Sequence, residues 1–314
     1  MVTYALHRLA LALPVIIIVA CGTFALVYLM PGDPATTIAG DGASTADIAA
    51  VRTELGLDKS FLAQFGGWLA AAVTGDFGRS FQYNVPVAEL IGQRIGVTAS
   101  IVVVGWLLAV LLGVPVGLLA GMRPGTLVDR ALTGIATLGI ALPSFWLAML
   151  LISLFALQLG WFDATGYTPL SAGVGPWLKS LLLPGLAVAS TSAADIARQT
   201  RSSVITVGAQ DFVRTNRATG LAPLAVMRHV LRNSGVPIAT VAGLQVERLI
   251  GSAVVVEILF AMPGVGELML RGVQTQDLPV IQGVVVLVAA AVIVVNLLVD
   301  VSYVFINPRL RRQS

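Results

Sequence analysis

The sequence predicts an all-α, polytopic membrane protein with six transmembrane helices. Of its 314 residues, 57% are hydrophobic and 11% are charged, whereas a soluble domain carries about 25% charged residues. A soluble fold of this length could not bury so much apolar side chain, so we infer that a lipid bilayer surrounds most of the chain. Six apolar runs are long enough to cross the hydrocarbon core as helices. These predicted spans are residues 9–30, 97–121, 131–157, 178–197, 236–260 and 280–305.

Composition divides the chain into three predicted regions. Residues 1–30 form an N-terminal tail and the first transmembrane helix. Residues 31–95 are soluble in character, with more acids than bases, and we expect an extracytoplasmic segment with short amphipathic helices. Residues 96–314 form the transmembrane core, which includes a basic stretch at 198–236 between the fourth and fifth spans.

The first span contains Cys21, which is the only cysteine of the chain. The sequence from Ile18 to Cys21 is similar to a bacterial lipoprotein cleavage site. The apolar run continues to Tyr28, however, where a signal peptide would give way to polar chain. We therefore interpret Cys21 as a small buried hydrophobic residue, and a single cysteine excludes an internal disulfide.

Two short helices are predicted within residues 31–95. Thr45 can cap the first of them, and Gly56 can end it. Phe61, Phe65 and Trp68 repeat at helical spacing in the second. We expect these apolar stripes to pack on the membrane domain or to lie at its surface.

The second span carries a small residue at every fourth position. Such a stripe forms a groove along a helix, where the backbone of another helix can approach closely. It therefore predicts tight packing between two spans and indicates nothing about function. The residues of the stripe are Gly105, Ala109, Gly113, Gly117 and Gly121.

Residues 211–237 are the polar exception within the transmembrane core. Asp211 is a plausible N-terminal cap, and Gly220 can adopt the left-handed conformation that ends a helix. Pro223 lies where a first helical turn tolerates proline. These signals predict two short helices joined by a sharp corner. Four arginines lie on them, with Asp211 as the only acid: Arg214, Arg217, Arg228 and Arg232.

The second of these short helices is predicted to be amphipathic, with its arginines on another face. Its apolar face consists of Leu224, Met227, Val230 and Leu231. A charged helix–corner–helix between spans is shaped to be held by a protein outside the membrane. The alternative interpretation is an ordinary basic loop on the cytoplasmic side.

The distribution of basic residues predicts the orientation of the chain. Six spans place both termini on the same side, and twelve arginines fall there. Six basic residues fall on or near the other side, most of them close to acids. Because positive residues stay inside, we expect cytoplasmic termini and a cytoplasmic central stretch. The twelve are Arg8, Arg123, Arg130, Arg198, Arg201, Arg214, Arg217, Arg228, Arg232, Arg309, Arg311 and Arg312.

Over nearly its whole length the chain resembles the permease subunits of dipeptide- and oligopeptide-type ABC importers. Motifs in matching order carry this resemblance, and the central stretch resembles the family's cytoplasmic Glu-Ala-Ala loop. Gly220 holds the fixed glycine, although Arg214, Thr215 and Asn216 stand where the triplet would be. The other motifs are Pro31-Gly32-Asp33-Pro34, Gly75-Asp76-Phe77-Gly78-Arg79-Ser80, Thr200-Arg201-Ser202, Arg232-Asn233-Ser234, Pro237, Glu257, Pro263-Gly264, Asn296 to Asp300, and Asn307-Pro308-Arg309, where asparagine replaces the usual aspartate.

The resemblance implies a type I ABC importer permease in the inner (plasma) membrane of a bacterium, embedded in lipid. Its expected partners are a second homologous permease, two cytoplasmic ATPase subunits and an extracytoplasmic substrate-binding protein, and no nucleic acid. ATP and Mg²⁺ would bind to the ATPase subunits, and this chain would need no cofactor. The resemblance places ATPase coupling in the loop 198–236, at Arg214, Thr215, Asn216, Ala218, Gly220, Leu221 and Arg228.

Several ionisable residues lie within the predicted spans, where a buried charge is costly and normally faces a partner, a cavity or the interface. Gln245, Arg248 and Ser252 share one helical face (i, i+3, i+7). That face could line a polar path for a peptide, with Arg248 meeting a carboxylate. The alternative, which we prefer, is a hydrogen-bonded contact between helices. The ionisable residues are Asp195, Glu247, Arg248, Glu257 and Asp300.

No enzyme class fits the sequence. His7 and His229, the only histidines, do not form a metal pair, and no phosphate-binding G-x-x-x-x-G-K-[ST] motif is present. The chain is therefore predicted to be a transport subunit that does not hydrolyse ATP. A secondary transporter or a channel for a small solute is the alternative, but we find neither an internal repeat nor a polar ring.

Overall fold

The computed structural model describes residues 2–29, 34–39, 42–54 and 57–306. Over these residues the chain is helical, and its extended pairing is limited to one bridge between Arg79 and Pro86. The all-α prediction is confirmed. The helices are α1 Val2–Leu29, α2 Pro34–Ala39, α3 Thr45–Glu54, α4 Phe61–Val73, α5 Val87–Met122, α6 Leu127–Ala141, α7 Ser144–Leu151, α8 Val174–Gly208, α9 Asp211–Ala218, α10 Pro223–Leu259, α11 Val265–Gln274 and α12 Leu278–Ile306.

Four of the described helices, α5, α8, α10 and α12, are long and apolar enough to cross a membrane. The bent pair formed by α6 and the helix 144–158 supplies a fifth if it counts as one span. The first predicted span coincides with α1, whose apolar stretch within the described residues is Leu13–Ala25. The described helices thus confirm a polytopic membrane protein and match five of the six predicted spans in length and composition.

The third predicted span, residues 131–157, is not one straight helix. It bends by 102° between α6 and the helical stretch 144–158. Pro143 causes the break, because proline disfavours helical backbone at the preceding residue, and Leu142 is extended (φ −85°, ψ 120°). Beyond α7 the helix widens into a π-helical stretch at Ile152–Gln158.

The prediction of a short second helix in the central stretch is also wrong. Helix α10 runs for 37 residues from Pro223, through Pro237, to Leu259, so this helix and the fifth span are one element. Helix α8 likewise extends eleven residues beyond its predicted end at residue 197, to Gly208. Apolar runs mark only the lipid-facing length of a helix, and both helices continue beyond it with polar residues.

The core is built on the contact between α5 and α8, and the stripe of small residues on α5 makes it possible. An added Cβ at Gly113 would lie 2.5 Å from the carbonyl oxygen of Ala193, and one at Gly117 would lie 2.3 Å from that of Ala197. The predicted close approach is confirmed. Helix α10 packs on the same pair, and the Trp106 indole N–H donates to the Ala242 carbonyl at 2.8 Å.

Helix α4 attaches the segment before α5 to the first helix. The rings of Phe61, Phe65 and Trp68 surround Phe24 of α1, with centroids 5.4 to 6.1 Å away. The apolar stripe therefore packs on a membrane helix, as expected. Helix α5 begins at Val87, inside the segment predicted as extracytoplasmic.

The cap of α3 differs from the prediction by one residue. The helix begins at Thr45, and Ser44 precedes it as the cap. The Ser44 hydroxyl accepts from the Asp47 N–H at 3.2 Å, while the Asp47 carboxylate accepts from the Ser44 N–H at 3.1 Å. This reciprocal pair is a capping box. The predicted end of this helix, Gly56, lies outside the described residues.

Candidate functional site

Polar residues gather at two ends of the helix bundle. The end that we call the α9 end comprises α9 with the C-termini of α5 and α8 and the N-termini of α6 and α10. The α11 end comprises α11 with the C-terminus of α10 and the N-termini of α5 and α12. The predicted ATPase-coupling residues all lie at the α9 end.

The corner after α9 is formed as the local sequence predicts. Gly220 has a φ of +77°, and its N–H donates to the Arg217 carbonyl at 3.1 Å. The Leu221 N–H donates to the Asn216 carbonyl, also at 3.1 Å. This pair of bonds is the Schellman arrangement, in which a left-handed glycine ends a helix. Pro223 follows as the first residue of α10.

Asp211 does not cap α9. The helix begins at Asp211 itself, after the extended residue Gln210, and no side chain caps its first N–H groups. Asp211 instead lies in the first turn, where a carboxylate interacts favourably with the helix dipole. Its distance of 3.9 Å from Arg214 makes a weak, solvent-exposed ion pair.

An apolar cluster fastens α9 to the ends of the spans. Val213 is buried among Val204 and Val207 of α8 and Val226 and Val230 of α10. Beside this cluster lies a cavity of about 800 Å³ between α9 and the ends of α5, α8 and α10. A movement of α9 would therefore reach α8 and α10 through these valine contacts as well as through the short covalent connections.

The opposite side of α9 and its corner faces outward. Arg214 is 83% exposed, and Asn216 is partly exposed. The predicted apolar face of the α10 N-terminus is only partly covered: Val230 is buried, whereas Leu224 is exposed. The remaining coupling residues are all exposed, namely Thr215, Ala218, Gly220, Leu221 and Arg228.

An ion pair between a buried carboxylate and a partly exposed arginine stabilises the same end. The Asp129 carboxylate accepts from Arg201 Nη2 and from the Gly125 N–H, both at 2.8 Å. It thereby ties the turn before α6 to α8. The sequence predicts a motif at Arg201 and a place for it on the cytoplasmic side, but it does not predict the partner Asp129. The available signal was local: Thr126 caps α6 by accepting from the Asp129 N–H at 3.3 Å.

The three residues predicted for a substrate path do not share one exposed surface. Gln245 is buried, and its carbonyl oxygen has no hydrogen-bond partner within the described part of the chain. The Ser252 hydroxyl donates to the Leu249 carbonyl of its own helix at 3.1 Å. Arg248 is exposed and donates to the Asp195 carboxylate of α8. The preferred contact between helices is therefore present at Arg248, as an ion pair.

At the α11 end, Glu257 has a structural role that the positions of residues in the sequence do not predict. Its carboxylate is fully buried and accepts from the Thr98 hydroxyl and from the N–H groups of Gly266, at 2.8 Å, and Glu267, at 3.0 Å. It thus caps the N-terminus of α11. Gly264 allows this contact, because an added Cβ there would lie 2.1 Å from the carboxyl carbon.

The motif Gly75-Asp76-Phe77-Gly78-Arg79-Ser80 is held at the same end. The buried Asp277 carboxylate accepts from the Ser80 hydroxyl and from the N–H groups of Phe81 and Gln82. On α11, Glu267 accepts from Arg271, and this hydrogen bond raises the pKa of the Arg271 guanidinium. These polar groups therefore stabilise the local fold.

Some predicted features cannot be compared with the structure. Pro31, Gly32 and Asp33 and the tail 307–314 lie outside the described residues, as does the side chain of Asp300. Within the described ranges, no group of three or more histidine, cysteine, aspartate or glutamate residues could hold a metal ion.

Comparison with known proteins identifies the family. The family described as "Binding-protein-dependent transport system inner membrane component" matches residues 113–312, and its N-terminal counterpart matches residues 1–102.

Three relatives match nearly the full length of the chain. A peptide transport system permease protein of Brucella abortus is 40% identical over 307 residues, covering 98% of both chains. A glutathione transport system permease protein of Salmonella choleraesuis is 39% identical over 312 residues, covering 99% of both. A dipeptide transport system permease protein of Alkalihalophilus pseudofirmus is 34% identical over 332 residues, covering 99% of this chain and all of the relative.

A solved structure supports the fold. A chain of the MetNI methionine ABC transporter, in an inward-facing conformation, superposes with a TM-score of 0.56 at 19% identity. The match covers 69% of this chain and 96% of that one. The chain therefore belongs to the family of binding-protein-dependent transport system inner membrane components, and it is the non-catalytic membrane subunit of an ABC importer whose ATPase and substrate-binding protein are separate partners.

Proposed function

We propose that this permease subunit translocates short peptides that an external substrate-binding protein delivers. The names of its relatives support this substrate class, since they include peptide, dipeptide and glutathione permeases. Glutathione is itself a tripeptide, so the three names share one chemistry. The family match over most of the chain favours this function over a secondary transporter or a channel.

The observation that carries the coupling role is the geometry of α9 and its corner. This short helix presents Arg214 and Arg217 to solvent while Val213 fastens its inner side to α8 and α10. A partner that grips the outer side would move the ends of two spans together. We propose that this partner is a cytoplasmic ATPase subunit, contacted by Arg214, Thr215, Asn216, Ala218, Gly220, Leu221 and Arg228.

The complete importer would contain this chain, a second homologous permease and two ATPase subunits that bind ATP and Mg²⁺. We further propose that it resides in the bacterial inner membrane, with both termini and the α9 end in the cytoplasm. The clustering of twelve arginines on one predicted side supports this orientation. Residues 31–95 would then lie outside, where the binding protein docks.

The path of the substrate is proposed to follow α10. Of the three predicted residues Gln245, Arg248 and Ser252, only Arg248 is exposed. Because Gln245 is buried, it would support the wall of the path without contacting the solute. Arg248 is therefore the residue through which we expect α10 to meet a solute.

Affinity purification from the native bacterium tests the coupling role. The tagged chain should bring down an ATPase subunit, detected by mass spectrometry. The double variant Arg214→Glu, Arg217→Glu should lose at least 80% of that ATPase, because it reverses the charge of the α9 surface. Arg79→Glu, at the α11 end, is the matched control and should retain it. Equal recovery from both variants would refute a coupling surface on α9.

A further inference from the structure

Three charged side chains meet where α8 and α10 pack together: Asp195 and Arg198 on α8, and Arg248 on α10. Arg198 Nη2 donates to Asp195 Oδ1 at 2.8 Å, and Arg248 donates to Asp195 Oδ2. Asp195 is only 12% exposed, whereas the side chains of Arg198 and Arg248 are 71% and 65% exposed. Each guanidinium has five N–H donors and gives one to Asp195, so most of the donors face outward.

Arg248 lies deepest of the three within a predicted span, whereas Asp195 and Arg198 lie at the end of the predicted fourth span, 178–197. Arg248 stands at the middle of the predicted span 236–260, roughly 18 Å from either end at the helical rise. On the same face of α10, one turn before and one and two turns after Arg248, lie Leu244, Gly251 and Val255, which are all exposed. The exposed face around Arg248 therefore continues along the helix.

Contact with lipid would be unfavourable for this exposed face of α10. An arginine at the centre of a bilayer is costly, and such residues normally face a cavity or a partner. The outer face of α5 shows the contrast: it exposes Leu107, Leu111 and Leu119 and carries no charge between residues 97 and 121. The spanning parts of α8 and α10 are also less hydropathic than those of α5 and α12.

The charge of the cluster is positive. Two guanidiniums surround one carboxylate, which leaves one net positive charge on the exposed side. Glu247 is exposed as well, but successive helical residues lie about 100° apart, so it points away from Arg248. An approaching solute would therefore meet Arg198 and Arg248 before any acid.

We propose that this face of α10 lines a water-filled passage, and that Arg198 and Arg248 form a receptor for a carboxylate group of the transported solute. The proposal rests on the proposed permease function and defines its substrate class: solutes that carry a carboxylate, such as the free C-terminus of a peptide. A carboxylate accepts paired N–H groups from a guanidinium. Asp195 orients both arginines and competes with the solute, so binding stays weak enough for the solute to leave.

Charge-selective cysteine labelling tests this proposal without a known substrate. In the assembled importer, Cys21→Ala removes the native thiol and Gly251→Cys places a new one beside Arg248, where a side chain meets nothing within 4 Å. The probes are the anionic sulfonatoethyl and cationic trimethylammonioethyl methanethiosulfonates. We measure the ratio of their labelling rates, normalised to the ratio for free cysteine.

The Gly251→Cys thiol should react with both reagents and should favour the anionic one. Adding Arg248→Gln should lower the rate ratio roughly tenfold, because one unit charge is removed close to the thiol. Asp195→Asn should raise it, and high salt should shrink all these differences. Arg248→Lys keeps the charge and should keep the ratio, which separates an electrostatic effect from a packing effect. Leu111→Cys, on the uncharged face of α5, should label with neither reagent.

Two results would overturn the proposal. One is an unreactive Gly251→Cys thiol in the assembled importer, since the face would then be covered by protein or lipid. The other is a ratio that Arg248→Gln leaves unchanged. Recovery of the ATPase is measured on the same samples: if it is retained, the carboxylate receptor fails alone, whereas loss of the ATPase from the parent protein refutes the permease function itself.

Discussion

At the α11 end, acidic side chains are buried and saturated with hydrogen bonds, whereas on the outer side of α9 and at the start of α10 basic side chains extend into solvent with few bonds. Glu257 and Asp277 each accept three hydrogen bonds from named donors. Arg214 has one weak ion pair, and Arg228 has none among the described residues. Side chains whose hydrogen-bonding groups are all paired within the chain stabilise the fold. Exposed side chains with unpaired groups remain available to a partner.

The physical basis of this difference is the cost of leaving a buried polar group without partners. An unpaired buried carboxylate is strongly destabilising, so each acceptor at the α11 end must keep its donors. On the outer side of α9 and at the start of α10, water replaces any lost contact. Substitutions at the α11 end should therefore reduce stability, and substitutions on that outer side should reduce transport.

The largest expected effect is the loss of stability in Gly264→Val. The new side chain would overlap the Glu257 carboxyl group, 2.1 Å from its carbon, and would displace it from its donors. Breaking such a buried polar contact costs roughly 3–5 kcal/mol. We expect the variant to unfold at a much lower temperature in detergent, as measured by size-exclusion chromatography after heating.

Gly134→Ala is the matched control for this prediction. Gly134 also lies in the transmembrane core, but nothing stands within 4 Å of an added Cβ there. The control should keep the wild-type melting temperature. A Gly264→Val protein with wild-type stability would mean that Glu257 does not hold the α11 end together.

A smaller loss of stability but a severe loss of transport is expected for Gly220→Val. A β-branched residue at a φ of +77° is strained by roughly 1–2 kcal/mol. The strain would distort the corner between α9 and α10, so motion of the ATPase would no longer reach the spans. Uptake of a labelled short-peptide mixture by cells should fall at least tenfold, while the protein still accumulates in the membrane.

Two variants make this second prediction specific. Gly220→Asn should restore much of the uptake, because asparagine tolerates the left-handed conformation. Gly125→Val strains a second left-handed glycine at the same end, in the turn before α6 (φ +79°), and should leave uptake less affected. Equal loss in the valine variants would attribute the defect to general strain at this end.

The corner between α9 and α10 could be predicted because its signals are local, whereas the cap at Asp211 and the short second helix were predicted wrongly. Gly220 ends α9 and Pro223 begins α10 three residues later. Both roles depend only on the neighbouring backbone. The break at Pro143 shows the limit of such signals. Pro115 and Pro184 lie within spans that remain continuous helices, so tertiary packing decides which proline bends a span.

At the α11 end the sequence predicts motifs and a costly charge at Glu257, but it does not predict the partners, because the contacts are long-range. Thr98 and Glu257 are 159 positions apart, and Ser80 and Asp277 are 197 apart. Periodicity carries no information about such pairs. The same holds within the spans: the cost of a buried charge indicated that Arg248 needs a partner, but only the fold identified Asp195.

The smallest expected effect on stability is that of Arg214→Gln combined with Arg228→Gln. Both side chains are exposed, and the ion pair of Arg214 with Asp211 spans 3.9 Å in solvent, so neither contributes measurably to folding. We expect an unchanged melting temperature, together with ATPase recovery that falls further as salt concentration rises, because the remaining attraction is screened.

Arg271→Gln, at the α11 end, is the reverse control: it loses the bond to Glu267 and should lower the melting temperature slightly while leaving ATPase recovery intact. If Arg214→Gln, Arg228→Gln destabilised the protein as much as Gly264→Val, the charges of the α9 end would serve the fold after all, and the contrast between the two ends would disappear.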